Sequence, residues 1–324
     1  MSSLSDMILS NDYADLIISY KLPMEALQED FGPYGVQTVT GNYAILHVER
    51  SLLPSNLISA LGYATIPRLY TTLNTAALEA SGILRVQSQP YLNLKGDGVL
   101  MGFIDTGIDY RLDCFQNSDQ TSRIVSIWDQ TITDGTPPYN LGYGTEYKKE
   151  QIDQALSSSD PLSVVPSVDA NGHGTFLAGI AAGTENSSAD FIGAAPHSSI
   201  AVVKLKQAKE YLKDYFLVHP EDVPVYQETD IMMGLRYLFL LSAHMRLPLV
   251  ICIGVGTTQG DHSGNSPLCD VIDNFSSSSG FYVSAAGGNE AGRAHHYLGS
   301  FSSPQQEENV EILVDEQDTG FCVE

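Results

Sequence analysis

From Gly98 onward the chain alternates short, almost purely apolar runs with longer amphipathic ones, and this alternation restricts the fold more than any other feature. "GVLMGFIDTG" is a near-continuous apolar run ending in Asp-Thr-Gly, the pattern of a strand buried on both faces. "SSIAVVKLK", "LPLVICIGVG" and "GFYVSAAGGNE" read as three further strands, while "NGHGTFLAGIAAG", "DIMMGLRYLFLLSAHMR" and "SPLCDVIDNFS" between them read as helices. Strands alternating with helices predict an α/β fold with a parallel sheet and helices on both faces. The ligand site of such a sheet lies outside the carboxyl ends of its strands, where Asp105, Gly254 to Gly256 and Asn289 all stand. "SDQTSRIVSIWDQTITDGTPPYNLGYGTEYKK" and "SSSDPLSVVPSVDANG" are turn-rich and are expected as surface loops.

Residues 1–92 have a different character. "YADLIISYK" alternates like a strand, and "PMEALQEDFG" reads as a short helix with Pro23 in its first turn and Gly32 at its end. "QTVTGNYAILHVER" carries Gly41-Asn42 between two β-rich arms, a hairpin signal. "SNLISALGYATI" suggests a second helix and "GILRVQSQP" a last strand, so a small α+β module is expected ahead of the sheet domain. The final segment, "ENVEILVDEQDTGFCVE", reads as a strand, a turn and the start of another strand.

Composition narrows the partners. Against 39 acidic residues stand 16 Lys and Arg, for a formal net charge of −23, which argues against nucleic acid and anionic membrane surfaces. No secretory signal is evident over Met1 to Asp30, and no apolar stretch approaches the ~20 residues that span a bilayer. Cys114, Cys252, Cys269 and Cys322 lack the paired spacing of a zinc or redox motif, so a reducing compartment fits. A dinucleotide site would need G-x-G-x-x-G after the first strand, and "FIDTGIDYR" is not that.

Three residues could carry chemistry. Asp105 closes a buried strand, where a carboxylate is costly unless hydrogen-bonded; the alternative is an Asx-turn. His173 sits between Gly172 and Gly174 at the mouth of a small-residue helix, a place that would fix its ring; alone, it would more often be structural. Asn289 follows two glycines, where it could form a turn or donate to a developing oxyanion.

In series, "MGFIDTGID", "NGHGTFLAGIAAG", "GAAPHSSIAVVKL" and "SAAGGNEAG" resemble the motifs of subtilisin-like serine proteases, in the same order and at similar spacing. "SIWDQT", "QGDHSG" and the run from Ala80 to Tyr110 are most similar to the clostridial spore-germination branch. The resemblance implies that Asp105 orients His173, that His173 serves as general base and then acid, and that Asn289 supplies the oxyanion donor. It further implies that the backbone around Gly254 and Gly256 pairs with an extended peptide substrate. Residues 1–92 would be a ferredoxin-like inhibitory prodomain seated in the cleft, with self-cleavage around Gln87 and Ser88. Residues 93–306 would be the catalytic domain and 307–324 the opening of a β-rich insertion. No cofactor is implied. "DYRLDCF" lacks the family's usual His-Pro and a carboxylate that helps some members hold calcium, so no metal is expected. A cytoplasmic or spore-associated location would follow.

The family's nucleophile lies in a Gly-Thr-Ser motif, and the sequence contains none. Ser300, in "GSFSSP", comes too soon after Asn289 to open the required helix, and "DHS" at Asp261 to Ser263 reads as a loop. Either the sequence breaks off before its serine, leaving an inactive fragment, or the serine is lost and the chain is a binding or signalling scaffold.

Overall fold

The computed structural model describes residues 3–20, 31, 34–54, 56–72, 83–87, 89, 91, 94–186, 191–218, 223–288, 296–312 and 314. Its centre is a six-stranded sheet. The strands are β5 (Leu100–Asp105), β6 (Ile124–Asp129), β7 (Thr145–Lys148), β8 (Ser199–Lys204), β10 (Leu249–Ile253) and β12 (Phe281–Ala285), in the order β12-β10-β5-β8-β6-β7. All neighbours run parallel except β6 and β7, which pair antiparallel at one edge. The sheet is therefore the expected α/β sheet with one antiparallel edge strand added.

One expectation fails here. The stretch around "SRIVSIWD" is no surface loop: β6 lies inside the sheet between β8 and β7, and Trp128 is fully buried. Its Nε1 donates to the Tyr143 carbonyl, so the indole nitrogen is satisfied inside the core. The flanking turn residues hid a strand of six.

Helices cover both faces. One face carries α7 (Glu228–Met245), which opens with Glu228 and Asp230 in its first turn, favourable to the helix dipole, and closes with Arg246 in the left-handed region at φ 56. Beside it lies α8 (Pro267–Ser276), with Pro267 in its first turn and the Ser266 side chain accepting from the Cys269 N–H. The opposite face carries α4 (Lys149–Leu156) and α5 (His173–Ala182), whose Ile152, Ala155, Ala178 and Ala182 pack with Phe103, Ile127 and Val202 of the strands. Among the described residues no helix is long and apolar enough to cross a membrane.

The first part of the chain builds a separate antiparallel sheet, β1 (Tyr13–Ser19), β2 (Val36–Thr38) and β3 (Tyr43–Glu49), in the order β1-β3-β2. The hairpin falls at Gly41-Asn42 as expected; the helix read over "PMEALQEDFG" lies outside the described residues except Phe31. Short helices α1 (Leu4–Leu9) and α2 (Leu57–Leu61) flank this sheet, and α6 (Glu210–Tyr215) reaches it through the Tyr211 hydroxyl, which donates to the Asp15 carbonyl. The segment "GILRVQSQP", read as a strand, instead contains α3 (Ile83–Gln87). The strand this module does supply is β4 (Leu69–Thr72), too short to show a period in sequence. Residues 309–312, read as part of a strand, are exposed and lie in no strand.

The first sheet docks on α7 and α8. Ile17, Val39 and Ile45 share one core with Leu235, Leu238 and Leu241. Around that core Arg236 donates to the Val39 carbonyl at 2.7 Å, and the Tyr43 hydroxyl to Asp270 at 2.6 Å.

Candidate active site

Asp105 is the last residue of the central strand β5, which is buried along its whole length between β10 and β8. Its carboxylate is almost wholly enclosed, a costly position that three contacts offset. The Thr106 N–H donates to Oδ1 at 2.7 Å, and His173 Nδ1 lies 2.9 and 3.0 Å from the two carboxylate oxygens. Nδ1 held this way carries the ring proton in the neutral form and leaves the lone pair on Nε2, the state a general base needs. The hydrogen bond to Asp105 raises the His173 pKa above its ordinary value; burial opposes this, and the charges of Asp105 and Asp169 add to it.

The two glycines around His173 have separate jobs. Gly172 caps α5 from the left-handed region at φ 85, where a side chain would be strained. Gly174 lets the helix start press against the Asp-Thr-Gly turn: a Cβ there would overlap the Gly107 carbonyl and lie 3.1 Å from the Asp105 Cβ. The Gly174 N–H donates to Thr106 Oγ1 at 2.9 Å.

Sequence reading missed Asp169. Its Oδ1 accepts from Thr106 Oγ1 at 2.8 Å and the Gly172 N–H at 2.9 Å; its Oδ2 accepts from the Thr175 N–H at 2.9 Å and Thr175 Oγ1 at 2.7 Å. One carboxylate thus ties the turn after β5 to the first turn of α5, fixing the two elements that carry Asp105 and His173. Although burial pulls the other way, the hydrogen bonds from Thr175, Gly172 and Thr106 hold its pKa below the usual value. An acid four residues before a helix-opening histidine was the available signal.

Beside this pair lies a three-stranded sheet in which β4 fills the groove between β11 (Val255–Gly256) and β9 (Tyr226–Gln227), antiparallel to both. Thr71 pairs with Gly256 and Thr72 with Val255; Leu69 pairs with Gln227 and Tyr70 with Tyr226. Gly254, just before β11, abuts the acid, since a Cβ there would overlap Asp105 Oδ2 and Leu177 Cδ1. Glycine at 254 thus has a steric reason.

The structure brings together Asp105, His173, Gly254 and Gly256. Asn289 and Ser88 lie outside the described residues. Gln87 is not in the groove. Its Nε2 donates to the Gly193 and Ala194 carbonyls, both at 2.7 Å, and that loop is bonded to the far end of α5 through Ile180 and Gly183. The helix separates it from His173 by roughly 14 Å. Ser263 is exposed and bonded to Asp261 and Asn265, while His262 stacks on His296, so these neighbours form no relay among themselves. Burial and the Asp105 charge push the Cys252 thiol up to about 11, which keeps it protonated and unreactive at neutral pH.

Residues 96–314 match the profile of the subtilase family, Peptidase S8. The solved structure of the Clostridium perfringens CspB protease is 36% identical, with a TM-score of 0.54 over 66% of this chain and 40% of that one. Fervidolysin from Fervidobacterium pennivorans, a keratinolytic enzyme related to subtilisin, is 10% identical with a TM-score of 0.48, over 86% of this chain and 40% of that one. The chain therefore spans 40% of the length of each. A search of the curated proteins finds no match. A fold of this topology, a buried acid–imidazole pair at the strand ends and a profile match over most of the chain make it a member of the subtilase family.

Proposed function

We propose that the chain belongs to a serine endopeptidase in which Asp105 and His173 are the acid and base of the proton relay and Asn289 is the oxyanion donor. The observation that carries this reading is the enclosed Asp105 carboxylate holding His173 Nδ1 at 2.9 Å, with a β-pairing groove against the same carboxylate. The base takes the proton of a serine hydroxyl at Nε2 as the nucleophile attacks the peptide carbonyl. The resulting imidazolium, stabilised by Asp105, then protonates the departing amine. Substrates are extended peptides that add a strand at Gly254 to Gly256.

The first module is an inhibitory prodomain in this reading. Its strand β4 already takes the place of a peptide between β11 and β9, which supports self-cleavage in the segment that follows Thr72 rather than at Gln87 and Ser88. A role in spore germination rests on the sequence resemblance.

A second reading, a catalytically inactive scaffold, keeps the same strand pairing without the relay. A fluorophosphonate probe applied to the full gene product decides between them. Labelling that disappears in His173→Ala supports the relay. A well-folded protein that takes no label overturns it in favour of the scaffold.

A further inference from the structure

We propose that Glu228 is a main-chain clamp that extends the groove by one rung and holds any peptide strand lying there by its backbone. This rests on the groove reading above and deepens it. The ladder between β4 and β9 pairs Tyr70 with Tyr226 and Leu69 with Gln227, so the next rung would pair Arg68 with Glu228. At Glu228 the chain enters α7, and its carbonyl is committed to the helix. The ladder should stop there.

It continues by substitution. The Glu228 N–H donates to the Arg68 carbonyl at 2.8 Å, and the Glu228 carboxylate, through Oε2, accepts the Arg68 N–H at 3.1 Å. The side chain thus supplies the acceptor that a strand carbonyl would have given. The other oxygen, Oε1, accepts the Leu268 N–H at 3.1 Å in the first turn of α8. Glu228 is fully buried, and its site has no role in the relay. The next N–H of the strand is also met by a side chain: Leu69 donates to Gln259 Oε1 at 3.0 Å, on the side of β11. Successive N–H groups point to opposite edges of a strand, so the two acceptors grip both edges.

Recognition through N–H groups ignores side-chain identity. The ligand is therefore an extended peptide of open sequence at this rung, with proline excluded because it has no N–H to give.

Hydrogen exchange read by mass spectrometry on the 324-residue chain tests this. In the wild type the amides of residues 68–72 exchange slowly. Glu228→Ala, and Glu228→Gln, which keeps the volume but turns one acceptor into a donor, speed that exchange by about tenfold or more while β5 and β8 keep their protection. Should Glu228→Ala unfold the chain, Glu228→Gln decides. The clamp is overturned if Glu228→Gln leaves 68–72 as slow as in the wild type, or loosens residues 267–276 alone, which would make the carboxylate a cap of α8. Fast exchange of 68–72 in the wild type would instead sink the groove reading itself.

Discussion

Gly254→Ala is the perturbation that best separates a working acid–imidazole pair from two residues that are merely close. The added methyl must share space with Asp105 Oδ2 and Leu177 Cδ1. Neither yields freely. Leu177 is buried on α5, one turn beyond His173, and Asp105 is pinned by the Thr106 N–H and the His173 ring. Overpacking of this kind costs about 1–3 kcal/mol. If the carboxylate turns away, its hydrogen bond to the imidazole goes with it, a further ~1.5–3 kcal/mol for a charge-assisted contact. The pKa of His173 should then fall from its raised position toward the ordinary 6.5, since its hydrogen bond to Asp105 is the largest cause of the rise. A raised folded-state pKa contributes stability that is complete below the unfolded value and lost as pH climbs through the folded one. The deficit of the variant should therefore be larger on the acid side of 6.5 and shrink above the raised pKa. Urea denaturation at several pH values measures the first quantity, and the NMR titration of the His173 ring measures the second. A variant that loses stability while His173 titrates as in the wild type would show that Leu177 moves and Asp105 does not. That result would refute the coupling between Gly254 and the pair.

Three other substitutions have defined outcomes. Asp169→Asn, which keeps the size but removes the charge, should lower the His173 pKa and loosen the start of α5, and an unchanged ring titration would contradict its positioning role. Asp15→Asn leaves the buried Lys209 ammonium without its countercharge and should cost about 3–5 kcal/mol in a denaturant titration. Burial alone would raise the Asp15 carboxyl, yet Lys209 and His47 hold it well below the usual range, so stability present above the unfolded pKa is lost as pH falls through the folded one; the variant should lack that acid-side loss. Trp128→Ala should cost about 3–5 kcal/mol, whereas a loop tryptophan would cost almost nothing, so a mild effect would return β6 to the surface.

What the sequence made legible follows from where each element is buried. β5 and the middle of β8 are enclosed on both faces, and that environment writes unbroken apolar runs such as "VLMGFID" and "IAVVK". The acid and the imidazole were readable for a similar reason: the backbone crowds around them at Gly107 and Gly174 and turns left-handed at Gly172, so glycine marks the place. β6 was hidden because Ser126 and Asp129 interrupt its apolar pattern, although both are buried and bonded, Ser126 to Glu146 and Asp129 to Ser167 and Lys204. β4 was hidden for a different reason. Leu-Tyr-Thr-Thr becomes a strand only because Tyr226 and Val255, far along the chain, offer it two edges. Asp169 was overlooked because it stands in a turn-rich stretch, and its tie to Thr106, 63 positions earlier, leaves no mark in that stretch.

The register of β4 beside Asp105 is set from a distance, and Gln227 is the link. Its backbone pairs with Leu69 in the groove, while its Nε2 donates at 2.6 Å to Asp15 Oδ2, inside the first sheet. Asp15 Oδ1 in turn accepts from Lys209 Nζ at 2.6 Å, and the same ammonium reaches the Met7 carbonyl. Gln227, Asp15 and Lys209 are all buried, so sliding the first sheet against α7 would leave the Lys209 ammonium enclosed without its carboxylate, at a cost of several kcal/mol. An apolar interface of the same size would tolerate such a slip far more readily, because hydrophobic contact is non-directional. The ionic contact therefore fixes one docking position, and that position brings Thr72 to Val255, the rung beside Gly254 and Asp105.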